Sequence, residues 1–265
     1  MNVLGTLQRN PAVNSLAKKL RINRAVDFYL RRFPLTRKTR TGLIYRVDSV
    51  PSLVVAREIF ATDVYAKPIA TAQPRTFVDL GSNVGYSVLI AEIMNSRSIK
   101  GLCVEPNPQL HAISEFHCAA NGLNDVHLLK GAVAAGGAGG EVEFFLNPSH
   151  IASSLTGNFN PNVAVGGETV KIRVPVVNLA REWQSRFGDA RVGLLKIDIE
   201  GSEIEFLKAH ADFLKRVDAI LIEWHLWVTT LDEVSAILTA AQFALKQVCH
   251  ADQHAGTAFF RRRAG

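Results

Sequence analysis

From residue 76 onward, short apolar runs and amphipathic stretches alternate along the chain. Residues 76–80, 100–105, 126–130, 192–198 and 218–223 read as buried strands, each a compact run rich in Val, Leu and Ile. Residues 84–94, 108–121, 179–187, 202–208 and 231–241 carry helical spacing between them, and Asn121-Gly122 supplies a stop for the second. Two closing strands are expected near 244–249 and 258–262, and a further pair at 141–146 and 169–176. A β–α rhythm of this kind predicts a parallel sheet with helices on both faces. In such sheets a ligand lies beyond the carboxyl ends of the strands. Residues 147–168, rich in Asn, Gly, Ser and Pro, read as one long loop.

The first part of the chain has a different rhythm. Residues 12–33 place Leu16, Leu20, Val26, Phe28, Leu30 and Phe33 among basic residues, the pattern of one or two amphipathic helices, and Pro34 ends it. A short strand is expected at 42–47, a helix at 52–60 capped by Ser52, and a connector from Lys67-Pro68 to Pro74. This divides the chain into a basic helical extension, 1–70, and a main domain, 71–265.

Charge sharpens that division. Residues 1–40 hold ten Lys/Arg against one acid, Asp27, and Arg261, Arg262 and Arg263 add three more positive charges. With a net charge of +6, the body between is mildly acidic. Basic ends on an acidic body suit an anionic partner, whether a membrane surface, a nucleic acid or an anionic glycan; they also suit a plain solvated helix face. Neither a run of 18 apolar residues nor a signal-type amino terminus occurs, so the expectation is a cytoplasmic protein, at most peripheral to the inner membrane surface. Three scattered cysteines, Cys103, Cys118 and Cys249, form no C-x-x-C pair and are expected as reduced thiols.

The most informative chemistry lies in F-V-D-L-G-S-N-V-G-Y, residues 77–86. It joins a strand ending in an acid to a glycine-punctuated turn and a helix start. Glycines permit backbone angles closed to other residues and let a ligand approach the main chain. A dinucleotide pocket needs G-x-G-x-x-G against a pyrophosphate. Here only Gly81 and Gly85 are present, with Asp79 two residues ahead. A carboxylate beside the turn repels phosphate and suits a cation. S-adenosylmethionine, with an ammonium and a sulfonium and no phosphate, fits better than NAD or ATP. Glu105 ends the second strand, 24 residues after Gly81, where an acid accepts hydrogen bonds from ribose hydroxyls.

Two further strand ends carry charge. In L-L-K-I-D-I-E-G-S-E (194–203), Lys196, Asp198 and Glu200 project the same way if the strand runs that far. In L-I-E-W-H (221–225), Glu223 and His225 share a face. Charged groups at the end of a buried strand are costly unless paired or used. Asp198 and His225 are the candidate general bases and Glu200 the group that holds an acceptor; Lys196, Glu223, Ser153 and Ser154 are candidate acceptor contacts, with the loop 147–168 as a cover. No metal site is assigned, although a divalent cation at Asp198, Glu200 and Glu223 is compatible with the residues. Lys196–Asp198 as a structural ion pair is the plainer alternative. A Walker motif, a G-x-S-x-G elbow and H-E-x-x-H are all absent from the sequence. The fourth strand lacks the Asn/Asp-Pro-Pro-aromatic sequence that holds a planar amine; carboxylates suit an alcohol, whose proton must leave as the oxygen attacks.

These motifs, with V-E-P-N-P (104–108), G-E-V-E-F (140–144) and the weaker A-R-E-I-F-A-T-D-V-Y (56–65), resemble the FkbM-type methyltransferases over roughly 41–262. The resemblance implies a Rossmann-like α/β fold: a seven-stranded, mostly parallel sheet with its last strand antiparallel and helices on both faces. It implies S-adenosylmethionine as cofactor, held by Asp79, Gly81, Ser82, Asn83, Gly85 and Glu105, with Asn107 beside them. It also implies methylation of a hydroxyl on a sugar, a lipid-linked glycan or a related natural product. A non-catalytic relative of the fold and a nucleic-acid methyltransferase are the other readings; no aromatic-interleaved basic patch supports the latter, and no nucleic acid is expected. Val177-Asn178-Leu179-Ala180 departs from the V-x-x-x-x-L-D pattern of many relatives, and the basic first 40 residues lie outside the shared pattern.

Overall fold

The computed structural model describes residues 22–95, 99–135, 139–147, 153–155 and 169–263. The expectations for residues 1–21 and for most of the 147–168 loop fall outside these residues.

The chain opens with α1 (Ile22–Arg32), a hairpin of β1 (Leu35–Lys38) and β2 (Ile44–Val47), then α2 (Val50–Ala61) and α3 (Asp63–Ala72). The main sheet follows: β3 (Thr76–Leu80), α4 (Tyr86–Met94), β4 (Lys100–Glu105), α5 (Pro108–Asn121) and β5 (Val126–Lys130). β6 (Glu141–Leu146) and β7 (Val170–Pro175) pair with each other as a separate two-stranded sheet. The main sheet resumes with α6 (Leu179–Phe187), β8 (Leu194–Ile197), α7 (Glu203–Ala209), α8 (Ala211–Leu214), β9 (Ala219–His225), α9 (Leu231–Ala240), β10 (Phe243–Ala251) and β11 (Ala255–Arg262).

The seven strands run in the order β10-β11-β9-β8-β3-β4-β5. β8, β3, β4 and β5 are parallel, as are β8 and β9; β11 is antiparallel to both of its neighbours. The mixed, mostly parallel sheet of the sequence reading is therefore present, with its last strand antiparallel. Among the described residues, no helix is long and apolar enough to cross a membrane.

Alternation along the strands sorts the two faces. Val78, Leu80, Leu102, Val104, Leu195, Ile197, Ile220 and Ile222 point to one face and pack with α6, α7, α8 and α9. Phe77, Cys103, Leu194 and Leu221 point to the other, and pack with α4, α5 and also α2 and α3 through Ile59, Tyr65 and Ile69. Residues between Leu43 and Ala72 thus share one hydrophobic cluster with the sheet.

Two local expectations are corrected, and one strand is new. The helix placed at 52–60 starts earlier, at Val50: Ser49 is its cap, accepting the N–H of Ser52, and Pro51 lies in the first turn, where a missing N–H costs nothing. The connector from Lys67 is the second half of α3, which Thr62 caps and which continues through Pro68. The strand β1, whose Leu-Thr-Arg-Lys shows no apolar alternation, pairs with β2 through backbone bonds. All three cysteines are free thiols.

Candidate active site

The site follows from strand parity. Asp79, Lys196, Glu223 and His225 all fall on the α2–α4 face, at the carboxyl ends of three adjacent strands. Asp79 of β3 and Lys196 of β8 are register partners. Their side chains meet at 3.1 Å, as an ion pair rather than a well-aligned hydrogen bond. Lys196 Nζ also donates to the Gly81 carbonyl at 3.0 Å and to Asp198 at 3.4 Å. Burial opposes a charged lysine, but Asp79 and Asp198 overcome it and raise its pKa. Asp79 has no exposed surface and takes the Ser87 hydroxyl as well. It ties β3, β8 and α4 together and lines neither cavity described below.

Gly81 turns the chain at φ 73° with no room for a side chain: a Cβ there would stand 1.8 Å from the Asp198 carbonyl oxygen. The turn thus lies directly on the end of β8. Asn83 takes the left-handed region at φ 52°, where asparagine is tolerated, and its side chain accepts the Val84 N–H. Gly85, at φ 82°, begins α4 without a capping side chain. Glu105 Oε2 accepts the Asn83 N–H and Oε1 the Asn107 N–H, each at 2.7 Å. Burial raises Glu105 to about 7, against the pull of those two N–H groups. Asn107 caps α5 and presents its own main chain to Glu105.

Two cavities flank the turn. The first is lined by Gly81, Asn83, Glu105, Pro106, Gly131–Val133, Phe144, Ser153 and Leu155. The second, a larger cleft, lies on the α2 side between Glu58, Tyr65, Ser82, Tyr86, Glu223, His225 and Trp227. Gly81, Asn83, Asp198 and Glu200 line both, so the two spaces meet at the turn and the end of β8. Ser82 Oγ, on the second, is buried and unpartnered among the described residues.

The second cavity is rich in carboxylates. β8 ends at Ile197, so Asp198 and Glu200 stand on the loop beyond it, Glu200 in the left-handed region at φ 51°. β9 runs far enough to carry Glu223 and His225 into the same space. His225 Nδ1 lies 3.1 Å from Glu203 Oε1; its Nε2 lies 3.5 Å from Glu200 and 3.8 Å from Glu223. Burial alone lowers the imidazole, but the Glu203 bond and the surrounding carboxylates raise it to about 10. Burial also raises Glu58 and Glu223, Asp198 adding to both. Glu200, enclosed although 24% of its side chain remains open to the cavities, rises by burial to about 8 despite the facing His225. An imidazole and a carboxyl both raised mean that negative groups outnumber positive ones, and that the cluster retains protons at neutral pH.

Of the residues marked from sequence, Gly81, Asn83 and Glu105 line the first cavity, and Ser82, Glu223 and His225 the second; Asp198 and Glu200 face both. Lys196 lines the second but is held by Asp79, Gly81 and Asp198, so its charge is already paired within the protein. Ser153 faces the first cavity rather than the acceptor side, and Ser154, buried, bridges to Phe145 of β6. Glu58 and Tyr65, which sequence reasoning did not single out, enter from α2 and α3. Their signal was A-R-E-I-F-A-T-D-V-Y, in which both stand.

A turn, an acid on the next strand and a carboxylate-bearing cavity beyond define the class: a Rossmann-like S-adenosylmethionine-dependent methyltransferase domain. The chain matches the Methyltransferase FkbM domain over residues 79–245 and belongs to that family. Among solved structures, it is similar to a Streptococcus mutans protein assigned to the SAM-dependent methyltransferases (11% identity, 86% of this chain and 55% of that one, TM-score 0.50). It is also similar to an O-methyltransferase family protein from Burkholderia thailandensis (12%, 82% and 58%, TM-score 0.49). A third is the methyltransferase FkbM from Methylobacillus flagellatus (16%, 71% and 44%, TM-score 0.45). The chain therefore spans between 44% and 58% of these three proteins. Comparison with curated proteins finds no match.

Proposed function

We propose that this chain methylates a hydroxyl oxygen of a sugar, a lipid-linked glycan or a related natural product. The observation that supports this reading is the junction at Gly81, Asn83, Asp198 and Glu200, where the cavity beside Glu105 opens onto a carboxylate-lined one. The residues of the first cavity fit S-adenosylmethionine. Each Glu105 oxygen has a lone pair left for a ribose hydroxyl after taking its backbone N–H; Ser82 Oγ, on the second cavity beside the same turn, is a buried polar group that lacks a partner among the described residues.

When bound, the cofactor supplies a methyl whose bond to sulfur breaks, leaving the electron pair on sulfur, as the acceptor oxygen attacks. Glu105 and the 81–83 turn hold the donor end, and Glu200 holds the acceptor hydroxyl. Alignment of that kind supplies about 7–11 kcal/mol of the barrier. Asp198, which faces both cavities, takes the hydroxyl proton, a contribution of about 10²–10⁴-fold. His225, held charged by its carboxylates, is the poorer base and balances the cluster.

The test is labelled-methyl transfer from S-adenosylmethionine to a cell extract fractionated into glycan, lipid and nucleic acid. Label in an alkali-stable ether of a glycan or lipid supports the reading; label confined to nucleic acid rejects it. For the basic extension, we propose contact with an anionic membrane surface. α1 exposes Phe28 and Tyr29 beside Arg31 and Arg32, with Phe33 exposed just after its end, the composition of an interfacial helix. Equal sedimentation with neutral and anionic vesicles would count against it.

A further inference from the structure

The second cavity has a surplus of carboxylates, set against Lys196 and the imidazole of His225. Glu58, Asp198, Glu200 and Glu223 all face it, while Lys196 is committed to Asp79, the Gly81 carbonyl and Asp198. Within this group, one oxygen of Asp198, one of Glu200 and one nitrogen of His225 lie within 4.8 Å of one another.

Two features separate these three groups from an ordinary acidic surface. The first is the support behind His225. Its Nδ1 is held by Glu203, a carboxylate with no exposed surface, whose Oε1 is fixed in turn by the N–H groups of Ile199 and Gly201. A histidine anchored through one nitrogen to a buried carboxylate presents the other in a fixed direction, the arrangement that orients metal ligands. The second is that other nitrogen. Nε2 belongs to a residue only 2% exposed, yet its neighbours among the described residues are two carboxylate oxygens at 3.5 and 3.8 Å, too long for good hydrogen bonds. It lines the cavity without a close partner of its own.

We infer that Asp198, Glu200 and His225, the last releasing its Nε2 proton as the ion binds, hold a divalent cation of the Mg²⁺ or Mn²⁺ class, with Glu223 as the adjoining carboxylate. Two carboxylates and one imidazole form a mostly hard donor set that leaves coordination positions open, which suits these ions and not a closed thiolate site. The ion lies where the two cavities meet. It would take the acceptor oxygen as a further ligand and make its proton easier to remove; the proton passes to Asp198, and Glu200 acts on the acceptor through the metal. That catalytic role rests on the proposed methyl transfer; the binding of the ion does not.

Purified protein, treated with chelator and dialysed, is titrated with Mn²⁺ while the free ion is followed by electron paramagnetic resonance. The expected result is one saturable equivalent that Mg²⁺ displaces. Asp198→Asn, Glu200→Gln and His225→Ala each abolish it, Glu203→Gln weakens it about 10–100-fold, and Asp212→Asn, on the exposed surface, leaves it unchanged. Calorimetry with S-adenosylhomocysteine on the same variants reports the fold and the first cavity independently. Variants that still bind S-adenosylhomocysteine but lose Mn²⁺ establish the site. Absence of saturable Mn²⁺ binding, or binding indifferent to the three ligand substitutions, overturns it while leaving the methyltransferase reading intact. Mn²⁺ binding without any S-adenosylhomocysteine binding or methyl transfer sinks the methyltransferase reading instead.

Discussion

His225 Nδ1 lies 3.1 Å from Glu203 Oε1, and the same oxygen accepts the backbone N–H groups of Ile199 and Gly201. One buried carboxylate therefore sets both the imidazole on β9 and the loop that carries Glu200. Glu203 does not itself line the first cavity, although Ile199, whose N–H it holds, does. Glu203→Gln is expected to lower kcat by about 10²-fold, the cost of a misplaced acceptor. S-adenosylhomocysteine affinity, measured by calorimetry, should stay at the wild-type value; a parallel loss of that affinity would mean the residue only supports the fold.

Gly81→Ala places a methyl group 1.8 Å from the Asp198 carbonyl oxygen, on a backbone held at φ 73°. Neither strand end can retreat, since both belong to the sheet interior. Cofactor binding should disappear in calorimetry, with the melting temperature lowered by several degrees. Retained affinity would remove the turn from the cofactor site.

Cofactor affinity should depend on pH through Glu105, which burial lifts to about 7. Ribose hydroxyls donate to its ionised form, so a drop from pH 8 to pH 6 protonates the acceptor and weakens binding. Glu105→Gln should bind more weakly throughout and show a flatter profile over that range. Fold stability runs the other way: the native carboxyl keeps its proton between pH 4.5 and about 7 while the unfolded chain loses it, so this group's contribution declines as pH rises through that window.

His117 makes the opposite contribution. Its Nδ1 donates to the Val84 carbonyl at 2.6 Å and its Nε2 accepts the Arg46 N–H at 2.8 Å, which requires the neutral ring. Burial lowers it to about 4 from 6.5. The unfolded chain takes up this proton first, so stability is complete above pH 6.5 and is lost as pH falls toward 4, by roughly 3 kcal/mol at full protonation of the unfolded state. Chemical denaturation at pH 7 and pH 4.5 measures the loss. His117→Phe should diminish that slope, and an undiminished slope would assign it elsewhere.

Glu200 occupies the left-handed region at φ 51°, a conformation that costs a residue other than glycine about 1–3 kcal/mol. Glu200→Gly relieves that strain and removes a buried carboxyl, against about 0.5–1 kcal/mol of added chain entropy. The variant should melt at a higher temperature, by about 2–4 °C for each net kcal/mol gained, and should lose turnover. A variant that is both less stable and fully active would contradict the place given to Glu200.

Much of this arrangement was legible because it depends on parity and punctuation. β3, β4 and β5 are apolar runs closed by Gly, Pro or Asn, and they begin and end where the pattern puts them. Alternation placed Glu223 beside His225 and Lys196 on the site face; the pairing of Lys196 with Asp79 is a register relation between β3 and β8 that the sequence did not reveal. The misses have equally specific causes. Pro68 reads as a break, yet α3 continues through it. An extended Asp198-Ile199-Glu200 was assumed, and the left-handed turn at Glu200 has no sequence signature when the residue is not glycine. Ser153 faces the first cavity because Ser154 pairs with Phe145, a long-range bridge that no local pattern encodes. Glu58 reaches the site only because α2 packs on the sheet face, a tertiary fact.

β11 sits between β10 and β9 and pairs with both, Ala255 standing opposite His225. The strand that completes the sheet is thus the last one made. Until residue 262 has left the ribosome, β9 has an open edge along its whole length, and the wall that carries Glu223 and His225 is unsupported on that side. The nascent chain must pass through a stage in which the nucleoside half of the molecule, β3 to β5, can already be assembled while the reactive half cannot. Competence to react therefore arises only after synthesis has run through β11.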